Sequence, residues 1–177
     1  MRPDTLSIAF GCSHTWGVGV EAVETWPYLL GARNFGVPSA SGDQVVRLAR
    51  DLVPQYSPKI VYCLWPDWSR FEIYKDGKFY QILPSNKDRI YFMEHHDNDW
   101  CKENFANNVK ELNAICQQNQ CRLIDMTLYD LIPYIDHADR WPISKLGHHY
   151  APEWHQRVAD LFSWAREEDF KFSLADE

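Results

Sequence analysis

The sequence predicts an α/β chain: a three-layer α/β/α sandwich on a mainly parallel sheet, with one inserted β-hairpin. Three observations carry the prediction. Short apolar runs alternate with stretches whose apolar residues recur at helical spacing, the order expected of strands and helices in turn. One run, Ile60-Val61-Tyr62-Cys63-Leu64, is apolar without interruption, as expected of a parallel strand covered on both faces. Later, Phe71-Glu72-Ile73-Tyr74 and Lys78-Phe79-Tyr80-Gln81-Ile82 alternate in period two around Asp76-Gly77, which reads as a hairpin and makes the sheet locally mixed.

The elements follow in order. Residues 6–10 form the first strand, which Gly11 halts, and Ser13 comes directly after it. Thr25 is placed to cap a helix with Pro27 in its first turn, where a missing N–H costs nothing, and Gly31 suits the exit. Residues 33–38 are a short strand running into the small-residue loop Ser39-Ala40-Ser41-Gly42. Val45, Val46, Ala49, Leu52 and Val53 then mark a helix that Pro54 and Pro58 are expected to end. The third strand spans residues 59–65, and the hairpin follows. Residues 83–100, with the polar cluster Glu94-His95-His96-Asp97-Asn98-Asp99, form an excursion at the sheet edge or over the site. Phe105, Val109, Leu112 and Cys116 mark one helix face, residues 122–126 a last strand, and Trp154, Val158, Leu161 and Phe162 the face of a terminal helix. No internal repeat or low-complexity tract interrupts the pattern, and residues 1–177 read as one domain with an excursion at about 70–100.

Composition narrows the function classes. A net charge of −7 argues against nonspecific binding to nucleic acid or anionic membranes, since both need clustered Lys and Arg. No apolar run approaches a membrane span and no secretory leader pattern opens the chain, so a cytoplasmic protein is expected. Five cysteines without paired CxxC spacing indicate neither a disulfide framework nor a zinc site, and they read as free thiols. The acidic and histidine residues at 94–99 read as a solvated loop, because consecutive histidines on an extended chain point apart, and no metal is expected.

Four segments follow strand ends: Gly11-Cys12-Ser13-His14, Ser39-Ala40-Ser41-Gly42, Trp65-Pro66-Asp67-Trp68-Ser69-Arg70, and the loop ending at His149. In a parallel sheet they converge on one edge, where ligands bind. At these positions the chain resembles the SGNH hydrolases, the GDSL-type esterases and lipases. The resemblance rests on Phe10-Gly11-Cys12-Ser13, on Asn34-Phe35-Gly36-Val37-Pro38-Ser39, and on His149-Tyr150-Ala151-Pro152 followed by His155 and Ala159.

The resemblance implies a flavodoxin-like sheet and a serine ester hydrolase, an esterase or a carbohydrate O-deacetylase, that needs no cofactor. Its partner would be a small-molecule or carbohydrate ester. Ser13 would be the nucleophile and His149 the general base, with His148 as the alternative, and the backbone N–H groups of Ser13 and Ser39 would be oxyanion donors. The chain departs from the family at four places: Cys12 replaces an aspartate, Ser39 a glycine, Pro66 an asparagine donor, and Leu146 the aspartate three residues before the histidine. Asp139 or Asp136 could supply the acid, and a backbone carbonyl orienting the histidine is equally consistent. Asp67 or Ser69 could stand in for the lost asparagine. Beside the site, Arg70 could recognise a carboxylate or phosphate, or else pair with Glu72 or another surface acid. His14 could touch substrate, and Trp16, Trp65 and Trp68 could stack on a sugar or acyl group, or simply pack. Cys12 reads as a small buried side chain rather than a nucleophile. The departures support a second reading, a binding or structural protein that keeps the fold without its catalysis and recognises a glycan or a protein partner.

Overall fold

The structure is a computed structural model and describes residues 6–83, 97–128 and 150–169. Its frame is a four-stranded sheet, β1 (Ser7–Gly11), β2 (Arg33–Asn34), β3 (Ile60–Trp65) and β6 (Arg122–Thr127), in the spatial order β2-β1-β3-β6 and parallel throughout. The helices are α1 (Ser13–Trp16), α2 (Trp26–Leu29), α3 (Gly42–Tyr56), α4 (Asn98–Gln118) and α5 (Pro152–Glu167).

The side-chain alternation of a strand explains the two covering layers. Ile8 and Phe10 of β1 and Val61, Cys63 and Trp65 of β3 point to one face, where Val45, Val46, Ala49 and Val53 of α3 and Leu112, Ile115 and Cys116 of α4 cover them. Ala9, Tyr62, Leu64, Ile124 and Met126 point the other way, under Trp26 of α2 and Trp154, Val158, Leu161 and Phe162 of α5. Both faces of β3 are therefore dry, which is what its unbroken apolar run requires. The expected three layers are present.

The hairpin departs from expectation in one respect. Among the described residues, strands β4 (Phe71–Lys75) and β5 (Lys78–Ile82) pair only with each other, as a separate two-stranded sheet, and the main sheet is parallel rather than mixed. Strand β3, which the hairpin follows in sequence, already has both neighbours, β1 and β6, so β4 cannot pair beside it. The turn itself is as the sequence indicates: Asp76 (φ 52°) and Gly77 (φ 77°) are both left-handed, the two-residue turn whose twist matches the strands.

Polar side chains anchor the hairpin to α3 and α4. Asp43, in the first turn of α3, accepts from the Glu72 N–H at 2.7 Å through one oxygen, and from Asn104 and Asn108 of α4, both at 2.9 Å, through the other. Arg47 grips Glu72 with two hydrogen bonds, 3.1 and 2.8 Å. Glu72 thus pairs with Arg47, and the alternative Arg70–Glu72 pair is not formed. Replacing Asp43 with alanine strands three donors at the seam, and a loss of about 2–3 kcal/mol is expected from the urea unfolding midpoint, with Asp43→Asn costing less.

Two helix boundaries differ from the sequence reading. Pro54 lies inside the last turn of α3, which ends two residues later where Ser57 turns left-handed (φ 43°), so the helix absorbs both the lost N–H and the crowding of the Arg50 carbonyl that a proline brings before it stops. Helix α4 begins at Asn98, before the expected face, because Asp97 caps it by accepting the Trp100 N–H at 2.7 Å. Asp97 and Asp99 are thus part of a helix start, whereas Glu94, His95 and His96 lie outside the described residues. No helix among the described residues is long and apolar enough to cross a membrane.

Candidate active site

Because the four strands are parallel, Gly11, Asn34, Trp65 and Thr127 all end at the same edge of the sheet. The turn bearing Ser13 is built from backbone first. Gly11 has φ 151°, and a Cβ there would lie 2.1 Å from Thr15 Oγ1 and 2.5 Å from the Leu64 carbonyl oxygen, so only glycine lets the chain swing from β1 into α1. The Cys12 carbonyl then accepts the N–H groups of Thr15 and Trp16 at 3.0 and 2.9 Å, and Ser13 stands, half-buried, as the first residue of the turn. The Cys12 side chain is 1% exposed, as the reading of a small buried side chain expects, and carries a free thiol.

The loop after β2 is tied to that turn. Val37 N–H donates to the Gly11 carbonyl at 3.0 Å, and the Asn34 amide donates to the Thr15 carbonyl at 2.8 Å while its oxygen accepts the Gly36 N–H at 2.9 Å. A Cβ on Gly36 would sit 2.5 Å from the Trp16 nitrogen, so the two loops touch through backbone. Asn34 and Gly36 are positioning residues that sequence reasoning did not single out, although both lie in the motif that carries the resemblance. Gly36→Ala is expected to push the loops apart at a cost of about 1–3 kcal/mol, read as a lowered Tm. Ser39, two residues beyond the Val37 tie, adopts φ 66°, the left-handed backbone that a glycine would occupy without strain.

After β3 the segment behaves differently. Pro66 is buried and has no N–H to offer, and Ser69 donates both its N–H, at 2.9 Å, and its hydroxyl to Asp67 Oδ1. Ser69 is thus turned to its own loop. Trp65 corrects an expectation: it is 0% exposed, packs edge-on to Phe105 at 5.5 Å, and donates its indole N–H to Asp125 at 2.8 Å, so no face of it is open to a substrate. Arg70 is half-buried, and among the described residues its guanidinium shows no hydrogen bond or ion pair. Trp68 is half-buried near the hairpin, with Lys102 5.8 Å from its ring centre, whereas Trp16 is 54% exposed.

His149, His148, Asp139 and Asp136 lie outside the described residues. The residue after His149 is described. Tyr150 has its ring 5.3 Å from that of His14 and stacks on Trp154 of α5 at 4.7 Å, and Trp154 lies 5.6 Å from His14. His14 therefore joins the Ser13 turn to the start of the terminal segment. His155, the second histidine of that motif, is a core residue, 2% exposed, whose Nδ1 accepts the Trp26 N–H at 3.4 Å. Burial lowers its pKa to about 4, which keeps the ring neutral and able to accept. Among the described residues no group of three or more His, Cys, Asp or Glu side chains is arranged to hold a metal ion.

This arrangement of sheet, helices and serine-bearing turn is the three-layer α/β/α fold of the SGNH hydrolases. Among solved structures, the chain is similar to the psychrotrophic esterase EstA from Pseudoalteromonas sp., inhibited by monoethylphosphonate, with TM-score 0.61, 10% identity, and 93% of this chain and 98% of that one covered. TesA gives TM-score 0.60 at 9% identity over the same shares, 93% and 98%. A catalytic mutant of Axe2, an acetylxylan esterase from Geobacillus stearothermophilus, gives 0.53 at 8% identity, covering 97% of both chains. No protein-family model matches the sequence, and no curated protein matches it.

Proposed function

We propose that this chain is a serine ester hydrolase acting on a small-molecule or carbohydrate ester. The Ser13 hydroxyl attacks the ester carbonyl carbon while His149, or His148 in its place, takes the proton and passes it to the departing alcohol. Water, deprotonated by the same histidine, then attacks the acyl-enzyme and releases the acid. The N–H groups of Ser13 and Ser39 face the developing oxyanion, and Asp139, Asp136 or a backbone carbonyl orients the imidazole. The observation that supports this most is the His14–Tyr150 contact, 5.3 Å between ring centres, because each ring belongs to the residue that follows a proposed catalytic group. With Pro66 at the third donor position, the oxyanion has two backbone donors, which predicts turnover about 10²–10³ below that of a three-donor site.

A fluorophosphonate probe followed by peptide mapping tests the proposal: phosphonylation of Ser13 is expected in the wild type and none in Ser13→Ala. A wild type that stays unlabelled overturns it and favours the binding-protein reading, which the missing donor at Pro66 supports.

A further inference from the structure

The one-turn helix that Ser13 opens has its last residue, Trp16, in the wall of a separate cleft of about 380 Å³ between α1, α2 and β2. Trp16, Val20, Ala22, Tyr28 and Ala32 line it, and no charged side chain does. Trp16 and Tyr28 are 54% and 46% exposed, so two aromatic rings flank an open entrance. Two polar groups in the lining are already committed. Thr25 donates its hydroxyl to the Ala22 carbonyl at 2.8 Å, and the Asn34 amide is held between Thr15 and Gly36. A ligand that depends on hydrogen bonds gains little from Thr25 and Asn34, whereas a hydrocarbon gains from burial along the apolar wall. Ser13 and Trp16 are the first and last residues of the same four-residue turn, so the wall of the cleft begins within one helical turn of the serine.

From this juxtaposition we infer that the cleft is a hydrocarbon-chain subsite, so that the ester processed at Ser13 carries an unbranched alkyl or acyl chain of roughly butyl to octyl length. The inference rests on the hydrolase reading for its place in the reaction but not for the binding itself. The volume lies at the small end of ligand pockets, about 300–1,000 Å³, which suits a short chain rather than a long-chain lipid. The chain can belong to the acid or to the alcohol of the ester, since both leave the reacting carbon.

Binding is measured first by titration calorimetry of Ser13→Ala with butan-1-ol and octan-1-ol, which involves no chemistry. Each buried methylene contributes about four-fold in affinity, so octanol is expected to bind at least about 50-fold more tightly than butanol. Filling the cleft with Ala22→Phe or Val20→Phe should remove most of that difference, and Trp16→Ala should weaken octanol. Equal affinities, or a preference for octanol that survives both filling variants, overturns the inference. In the wild type, kcat/KM across p-nitrophenyl acetate, butanoate and octanoate reads the acid side, and ethyl, butyl and octyl acetate read the alcohol side. A rise with chain length in one series, collapsing in the filled variants, assigns the chain to that side. Octanol binding in a protein that hydrolyses none of these esters keeps the subsite and removes the hydrolase reading. Hydrolysis that is flat in both series, with no octanol preference, removes the subsite alone.

Discussion

Replacing Ser13 with alanine is expected to lower kcat/KM for ester hydrolysis by about a thousand-fold or more, because no other step in the proposed reaction can form the acyl-enzyme. The fold should be untouched. Ser13 is half-buried at the head of a turn whose hydrogen bonds are backbone, from Thr15 and Trp16 to the Cys12 carbonyl, and its hydroxyl makes no hydrogen bond among the described residues. Stability within about 0.5 kcal/mol of the wild type is therefore expected. Measuring Tm beside kcat/KM separates lost chemistry from lost structure. Equal activity in wild type and Ser13→Ala would remove Ser13 from the mechanism, and a parallel fall in Tm would make the turn a structural feature.

The second large effect is on stability against pH. His155 is buried with no charge of its own to spare, and its Nδ1 must stay unprotonated to accept the Trp26 N–H at the start of α2. Its pKa is lowered from 6.5 to about 4 by burial, so between these values the unfolded chain binds a proton that the folded chain refuses. Protonation then favours unfolding. The stabilisation is complete above pH 6.5 and falls as pH drops through the folded value near 4, by about 3 kcal/mol in all. Urea midpoints at neutral, mildly acidic and acidic pH should show this slope, and His155→Gln, which keeps an acceptor without a titrating group, should flatten it. An unchanged slope in that variant would assign the acid sensitivity to carboxylates instead.

Much of the fold is legible in the sequence because it depends on local periodicity. The apolar run Ile8-Ala9-Phe10 and the continuous apolar run of β3 each imply a buried strand, and both are so buried. Asp76-Gly77 announces a two-residue turn because that turn needs two left-handed residues. The serine-bearing turn is legible for the same reason, since Gly11 must end the strand where no Cβ fits. What local pattern does not carry is partner choice. Glu72 was a candidate partner for Arg70 by proximity in sequence, yet Arg47, 25 residues away, holds it. Trp65 looked available beside a loop, yet its strand turns the indole into the core against Asp125. Asn34 and Gly36 owe their importance to where β2 lies against α1, which nothing within their own segment specifies.

The sequence by itself determined the element types, the parallel α/β frame and the placement of Ser13 at a strand end, because these follow from side-chain periodicity and backbone permission at single residues. Only the tertiary structure decided that the hairpin stands apart from the main sheet, that Asp43 binds it to two helices, that Trp65 and His155 are core groups, and that the rings of His14 and Tyr150 meet. Those outcomes depend on which surfaces the packed sheet leaves unpaired. A competition among distant segments for the same edges and faces settles them, and such a competition leaves no trace in the order of neighbouring residues.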